Sequence, residues 1–389
     1  MPKFLNSLNA IFEIKRGGRE NISCLEGFRG FAVFLVFIVH YIVLGVPALQ
    51  SGTLSYRIIY PLHIVGKTGL DIFFLMSGYL IYGSLIQKEK PFSEFFSRRI
   101  KRIYPAFIVM LGIYILLSYI FPLESKLPGD ALEKAIYILE NMLLLPGIFP
   151  IPAIISVTWT LSYEVLYYLT IPWTITVLGL HSWKPLNRIY LFSLISVVFI
   201  LLCGIFGGPV RMAMFGAGII LFDLMTVLNI RNFPNGAGIF AWVVGITIVE
   251  FLPREQIGIL VVQNNFWLAV RSAVLFIAIF FLYLDCLSDQ RHLSARIFSF
   301  APLRYFGNIS YSYFLIHGLT LKGFFWAISK FIPLESLGSI GFWIGIPVAF
   351  SATVLAGLAL YLFVEHPLSI IPIQTQRAKS GPKADLYSQ

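Results

Sequence analysis

An arginine and a histidine within one apolar stretch are the first residues here that could do chemistry. Arg29 and His40 lie in EGFRGFAVFLVFIVHYIVLGVP, residues 26–47, which is long and apolar enough to cross a bilayer. On a helix they face nearly the same direction, about 16 Å apart along the axis. Ionisable groups in hydrocarbon are costly and usually functional. The stretch therefore predicts an active-site helix; the alternative is a snorkelling arginine and a histidine bonded to a neighbouring helix.

The imidazole of His40 suits proton transfer at neutral pH, as a general base or as an acyl carrier. Asp71 follows in the next apolar stretch, GLDIFFLMSGYLIYGSLI, residues 69–86. If the two stretches form an antiparallel hairpin, Asp71 reaches a depth comparable to His40 and could orient its imidazole. The alternative for Asp71 is a carboxylate favoured by the dipole at a helix N-terminus.

The densest basic cluster of the chain lies in FFSRRIKRIYP, residues 95–105, and includes Arg98, Arg99 and Arg102. Arg98 and Arg102 are four positions apart, so on a helix they share a face and can converge on a phosphate. The cluster thus predicts a site for a phosphate-bearing donor, with Arg29 gripping that donor deeper in the membrane. The alternative is a cluster that only sets topology or touches anionic lipid.

Further polar residues interrupt two later apolar stretches. Glu164, in TWTLSYEVLYY, is expected either to pair with a buried arginine or to form a polar wall of a channel. Trp159 is expected either to stack on a sugar or adenine ring or to lie in the aromatic belt at the membrane interface. Tyr313 and His317 are four positions apart and share a face, and His317 is a candidate second acid or base for acceptor chemistry. Glu365, just before a proline, predicts the end of a helix near the headgroups.

Composition predicts an all-α, polytopic membrane bundle. The chain has 389 residues, of which 58% are hydrophobic and 12% charged, and its mean hydropathy is +0.81. A soluble protein of this length could not bury so much apolar surface. The net charge of +10 is explained by the excess of lysine and arginine that cytoplasmic loops of membrane proteins carry. No nucleic acid partner is indicated. The three cysteines lack ligand-like spacing, so no metal site or disulfide framework is predicted.

The apolar runs predict about ten transmembrane helices, with loops at 51–67 and 122–155 and a short helix at 131–145 inside the second loop. Positive-inside bias places both termini and the basic cluster in the cytoplasm. The predicted spans are 26–46, 69–86, 104–121, 159–180, 189–206, 210–228, 236–252, 266–286, 305–328 and 339–364.

Six ordered blocks in this sequence resemble those of the acyltransferase-3 family of integral membrane acyltransferases. They are LEGFRGFAVFLVFIVH, GLDIFFLMSGYLI, FFSRRIKRIYP, TWTLSYEVLYY, FGNISYSYFLIH and VEHP. Six blocks in order, with polar residues in register, are hard to obtain by chance. The resemblance covers residues 21–368, which predicts a cytoplasmic tail at 1–20, a membrane domain at 21–368 and a cytoplasmic tail at 369–389.

The resemblance implies transfer of an acyl group, commonly acetyl from acetyl-CoA, to a hydroxyl of a carbohydrate or similar acceptor. It makes Arg29 and His40 the signature pair. The residue chemistry adds Asp71 and Glu164 to His40 as candidate catalytic residues, and no metal is predicted. Glu26 departs from the aspartate of the family's opening block. The sequence also lacks the appended hydrolase-like domain of some members, so we expect either that an acyl relay involves another protein or that the bundle acts on the final acceptor itself.

Two function classes follow from these residues. The leading hypothesis is an O-acyltransferase of the bacterial inner membrane that uses an acyl-CoA donor. The rival is a polytopic transporter or channel, in which buried charges and about ten spans are also common. No pair of Gly/Pro-broken segments recurs in matching halves of the sequence, which favours the enzyme.

Overall fold

A computed structural model describes residues 23–89, 91–227, 233–253, 255–257, 260–262 and 264–372. The predicted tail at 1–20 and most of the predicted tail at 369–389 lie outside the described residues. The described chain is helical apart from short turns, loops and one antiparallel hairpin, in which β1 (Glu255–Ile257) pairs with β2 (Leu260–Val262).

Thirteen α-helices make up the described fold. They are α1 (Ser23–Gly45), α2 (Leu54–Ile86), α3 (Phe92–Ile120), α4 (Ala131–Met142), α5 (Thr158–Val177), α6 (Pro185–Phe206), α7 (Ala213–Val227), α8 (Ala237–Phe251), α9 (Asn265–Ser288), α10 (Leu293–Phe298), α11 (Ala301–Asn308), α12 (Ser310–Ser329) and α13 (Gly338–Leu360). A π-helical segment, Tyr361–Ile370, continues α13.

Seven of the described helical segments are long and apolar enough to cross a membrane, which confirms an all-helical membrane fold. They contain α1, α2, α3, α6, α7, α9 and α13 with its π-helical continuation. The other three predicted spans are also helical, as α5, α8 and α12. Of these, α8 has only 15 residues, while α5 carries the charged Glu164.

Two helices begin well before the predicted spans. The loop predicted at 51–67 is wrong, because α2 starts at Leu54, where Oγ1 of Thr53 accepts a hydrogen bond from the Tyr56 amide (3.3 Å). Likewise α3 starts directly after Pro91, so the basic cluster lies within its first turns. A helix can begin with polar turns, and an apolar run in the sequence marks only its apolar part. The start of such a helix is therefore predicted too late.

The short helix predicted in the 122–155 region is confirmed as α4. Asp130 caps it: its carboxylate accepts hydrogen bonds from the amides of Leu132 (2.9 Å) and Glu133 (3.0 Å), which hold the pKa of Asp130 below its ordinary value. The buried Asn141 accepts a hydrogen bond from the Ile154 amide (2.8 Å). The Asn141 bond joins α4 to the loop that leads into α5.

Helix α1 lies at the centre of the bundle, and glycines let other backbones touch it. A Cβ at Gly27 would lie 1.7 Å from the carbonyl oxygen of Phe298, and one at Gly30 would lie 2.1 Å from that of Leu303. On another side, a Cβ at Gly69 of α2 would lie 2.5 Å from the carbonyl oxygen of Ala32. Such approaches occur only where a residue has no side chain. The position of α1, and so of Arg29 and His40, depends on this close packing.

We predict that Gly27→Ala destabilises the protein, because the added methyl group overlaps a backbone oxygen that cannot move without shifting α10. Overpacking of this kind typically costs about 1–3 kcal/mol. The control is Gly112→Ala in α3, where an added Cβ meets nothing within 4 Å. Thermal unfolding in detergent should show a lower midpoint for Gly27→Ala alone; equal midpoints would contradict the packing argument.

Candidate active site

A pocket with an empty volume of about 860 Å³, including its open mouth, lies among α1, α2, α3, α5 and α12. Three arginines and one glutamate line it, so its charged lining is net positive. We call it the arginine pocket. Its lining residues are Arg29, Leu70, Phe73, Phe74, Met76, Ser77, Arg99, Arg102, Ile103, Thr160, Leu161, Glu164, Tyr168, Ser310, Tyr311 and Phe314.

Arg102 is held in the wall of the pocket by a buried carboxylate. Its guanidinium lies 3.0 Å from Oε1 of Glu365, which is fully buried. The other oxygen, Oε2, accepts hydrogen bonds from the amide (3.2 Å) and hydroxyl (2.5 Å) of Ser312. The prediction that Glu365 ends a helix near the headgroups is therefore wrong, because the chain continues as a π-helical segment that turns Glu365 inward.

Arg99 lines the pocket through contacts with aromatic faces. Its guanidinium lies 5.4 Å from the ring centre of Phe95 and 5.2 Å from that of Tyr168. Such cation–π contacts orient a guanidinium without neutralising it, so it keeps its charge for a ligand.

Arg98 does not line the pocket, contrary to the predicted pairing of Arg98 with Arg102. It forms an ion pair with Glu94, one turn earlier on the exposed part of α3. Positions three and four apart both share a helix face. Here the i, i+3 pair of Arg99 and Arg102 faces the bundle.

Glu164 forms a polar wall of the pocket, the second of the two alternatives for this residue. Its Oε1 accepts hydrogen bonds from the hydroxyls of Tyr168 and Ser77 (3.3 Å for Ser77). In contrast, no hydrogen bond or ion pair joins Arg29 to any residue that the structure describes. A buried charge normally has a partner. Arg29 is half-buried in the lining of the pocket and has no hydrogen-bond or ion-pair partner there among the described residues, although Glu26 and Glu164 lie within electrostatic range.

His40 and His317 lie together, as a pair of imidazoles from α1 and α12. Their ring centres are 5.0 Å apart, with the rings edge to face. Nδ1 of His317 must carry a proton, because it donates to the carbonyl oxygen of Phe314 (2.9 Å), which can only accept. In the neutral ring, Nε2 of His317 then carries the lone pair, and it is buried without a hydrogen-bond partner among the described residues. The pair thus offers an unused acceptor next to the ring of His40.

The histidine pair and the arginine pocket meet at Phe314. This ring lines the pocket, and its centre lies 5.9 Å from that of His317. Phe73, also in the pocket lining, contacts Phe314 at 6.2 Å between ring centres. Phe314 therefore contacts both the lining of the cationic pocket and the histidine pair.

Asp71 does not reach the histidine pair. Its buried carboxylate accepts a hydrogen bond from Arg211 (2.6 Å), and no described contact joins it to His40. The close approach of Gly69 to Ala32 sets the register of the two helices, which puts Asp71 more than a turn below His40. The predicted role of Asp71 in orienting the imidazole is therefore wrong.

The remaining predicted residues flank the histidine pair or lie apart from it. The ring of Tyr313 stacks parallel to that of His317 (5.5 Å), as expected four positions apart, and its hydroxyl lies 3.1 Å from Oγ1 of Thr353. Trp159 makes an edge contact with Tyr163 (5.6 Å) and is not in the lining of the arginine pocket. Among the described residues, no cluster of three His, Cys, Asp or Glu side chains could hold a metal ion.

Glu365 and Tyr168 are functional candidates that sequence reasoning missed. The sequence signal for Glu365 was a carboxylate within an apolar run, the same signal that singled out Glu164, but Pro367, two positions later, suggested a helix end. Tyr168 carried no such signal, since it is one of 19 tyrosines.

Comparison with known proteins gives consistent matches. A sequence model of an acyltransferase domain matches residues 22–362. Peptidoglycan O-acetyltransferase OatA of Listeria monocytogenes is 24% identical over 387 residues, covering 91% of this chain and 56% of the relative. O-acetyltransferase OatA of Staphylococcus aureus is 30% identical over 186 residues, covering 45% of this chain and 28% of the relative.

An uncharacterized protein of Haemophilus influenzae is 34% identical over 146 residues, covering 34% of this chain and 58% of the relative. The chain thus spans little more than half the length of these relatives at most. No solved structure matches it.

Proposed function

This chain belongs to the acyltransferase family whose domain spans residues 22–362, and we propose that it transfers acetyl from acetyl-CoA to a carbohydrate hydroxyl within the membrane. The observation that carries the proposal is the connection between two sites of complementary chemistry. A cationic pocket suits a phosphate-bearing donor, and a histidine pair suits proton transfer; the ring of Phe314 contacts both.

The arginine pocket binds the nucleotide end of the donor in this proposal. Coenzyme A carries phosphates at one end of a long, narrow arm and its thioester at the other. Arg99 and Arg102 offer planar, multidentate donors that match phosphate geometry, and Arg29 adds a third cation without an internal partner. The arm then extends past Phe314 toward the histidine pair, which requires the rings of Phe73 and Phe314, in contact in this structure, to move apart.

His40 acts as the general base. No hydrogen bond joins its ring to a described residue, so its nitrogens are available to a substrate. The imidazole takes the proton of the acceptor hydroxyl while the oxygen attacks the thioester carbonyl. The new C–O bond forms as the C–S bond breaks, and the proton passes to the departing thiolate. An acyl-histidine on His40 is the alternative, which trapping of labelled acyl groups would reveal.

His317 positions His40 rather than replacing it. The lone pair on Nε2 of His317 can accept a proton donated by the imidazole of His40 or by the acceptor hydroxyl. The carbonyl of Phe314 fixes the tautomer of His317, and stacking on Tyr313 fixes its ring. Preorganised hydrogen-bond partners of this kind reduce the rearrangement needed during reaction.

The acceptor is a glycan of the cell envelope in this proposal, supported by the peptidoglycan O-acetyltransferase among the relatives. Positive-inside bias supports an inner-membrane protein of about ten spans, with both termini and the mouth of the arginine pocket facing the cytoplasm. The glycan then approaches the histidine pair from the opposite surface, with Trp159 as a candidate stacking residue.

We predict that His40→Ala leaves an inserted, monodisperse protein with acetyl transfer reduced about 10²–10⁴-fold, the usual cost of removing a positioned base. Transfer of labelled acetyl from acetyl-CoA to envelope glycan by the purified protein measures this. His181→Ala is the matched control, because His181 is exposed and contacts only a backbone carbonyl of α2. Wild-type turnover by a stable His40→Ala protein would exclude the catalytic role.

We predict that Arg99→Gln raises the KM for acetyl-CoA about tenfold and leaves the acceptor KM nearly unchanged, because one charge-assisted contact to phosphate is lost. Arg102 is left unchanged, because its loss would leave the buried Glu365 carboxylate without its partner. Arg98→Gln is the control, because it removes the same charge from the same helix outside the pocket. An equal rise in donor KM for Arg98→Gln would mean that general charge, and not the pocket, attracts the donor.

A further inference from the structure

A third histidine, His63 of α2, lies on a helix face that lines the arginine pocket. It is seven positions from Leu70, which belongs to the pocket lining, so the two residues share a face and lie two helical turns, or about 10 Å, apart. His317 of α12 has the same relation to Ser310, which also lines the pocket. The walls that α2 and α12 contribute to the pocket therefore each continue to an imidazole, as the wall of α1 does to His40.

His63 lies at about the same depth as His40. A Cβ at Gly66 would lie 2.6 Å from the side chain of Val39, the residue before His40, where the antiparallel helices α1 and α2 touch. His63 comes one turn before Gly66 on α2, so it lies opposite the turn of α1 that contains His40. The two imidazoles are within electrostatic range, but no ring contact or hydrogen bond joins them in the part of the chain that the structure describes. They thus flank one region without touching each other.

The ring of His63 has an N–H group that the protein does not use. The residue is 6% exposed, and its Nδ1 is buried without a hydrogen-bond partner among the described residues. No described residue accepts a hydrogen bond from its other nitrogen either. An imidazole carries at least one N–H in both its neutral and its cationic form. Because an unbonded donor is costly in a buried position, we expect a bound molecule to accept this hydrogen bond.

The other two histidines have no N–H left for the thioester. The Nδ1–H of His317 donates to the carbonyl oxygen of Phe314 (2.9 Å). His40 turns an unprotonated nitrogen to the acceptor hydroxyl in the proposed mechanism, and Nε2 of His317 can accept its remaining N–H. Negative charge develops on the thioester carbonyl oxygen during attack, and acyl transfer requires a donor at that oxygen. Of the three rings, His63 has the uncommitted donor.

We propose that His63 donates a hydrogen bond to the thioester carbonyl oxygen of the acyl donor and stabilises the oxyanion formed when the acceptor attacks. This inference rests on the acetyl transfer proposed above. The hydroxyl oxygen forms the new C–O bond, its proton passes to His40, and the π electrons of the carbonyl move onto the oxygen bonded to His63. Collapse restores the carbonyl and breaks the C–S bond, and His40 returns the proton to the departing thiolate. His63 keeps its proton throughout.

Two substitutions of similar size test this role, because glutamine carries an amide N–H donor and methionine does not. We expect His63→Met to lower kcat for acetyl transfer from acetyl-CoA to envelope glycan about 10²-fold, the size expected for a lost oxyanion donor. The KM values for donor and acceptor should stay nearly unchanged, because the bond strengthens only in the transition state. His63→Gln should retain a kcat at least about tenfold above that of His63→Met, which a merely structural role would not produce.

Thr68→Val is the matched control and should keep the wild-type kcat. Thr68 is buried in the same helix, does not line the pocket, and donates its hydroxyl to the carbonyl oxygen of Val65 (2.7 Å). All variants are compared as monodisperse protein, and His63→Phe serves as the donor-free variant if His63→Met is not monodisperse.

A wild-type kcat in the donor-free variant would overturn the inference, as would equal kcat values in the donor-free variant and His63→Gln. His40→Ala, measured in the same assay, separates this result from the proposed function. If the wild type transfers acetyl and His40→Ala does not, an unaffected His63→Met protein removes only the role of His63. If the wild type transfers no acetyl, the proposed function fails and this inference fails with it.

Discussion

Charged groups inside a low-dielectric bundle must be paired or must face a ligand or water, and this constraint organises the structure. The buried carboxylates Asp223, Asp71 and Glu365 each have an arginine partner: Arg188 at 2.6 Å, Arg211 at 2.6 Å and Arg102 at 3.0 Å. Glu26 is likewise paired, with Arg304. Against this background Arg29 stands out, because no hydrogen bond or ion pair joins it to a described residue; in our proposal the donor supplies its partner.

The same ion pairs connect helices that are distant in sequence. Glu365 joins the end of α13 to Arg102 of α3 and Ser312 of α12, and so determines where the arginine pocket closes. Glycine contacts around α1 complete the scaffold by letting backbones approach without intervening side chains. Rigid placement of this kind is what proton transfer and thioester attack require, since a misplacement of about 1 Å can cost two orders of magnitude in rate.

Much of this arrangement could be predicted from local spacing. Helical periodicity placed Arg29 and His40 on one face and stacked Tyr313 on His317, because these relations are set within a single helix. Contacts between helices could not be predicted in this way. Asp71 has its partner 140 positions away in Arg211, and the choice of Arg99 over Arg98 depends on which side of α3 faces α5. The pairing of His40 with His317 likewise required the tertiary structure, although both residues were selected from the sequence.

The central claim is that one path joins a cytoplasmic donor pocket to a histidine pair that meets the acceptor from the other surface. Sealed vesicles that contain the full chain in one orientation test it most directly, with acetyl-CoA and an impermeant glycan acceptor supplied on chosen sides. The account predicts acetyl transfer only when acetyl-CoA is on the cytoplasmic side and the acceptor on the opposite side. Transfer with both substrates confined to the cytoplasmic side would contradict it.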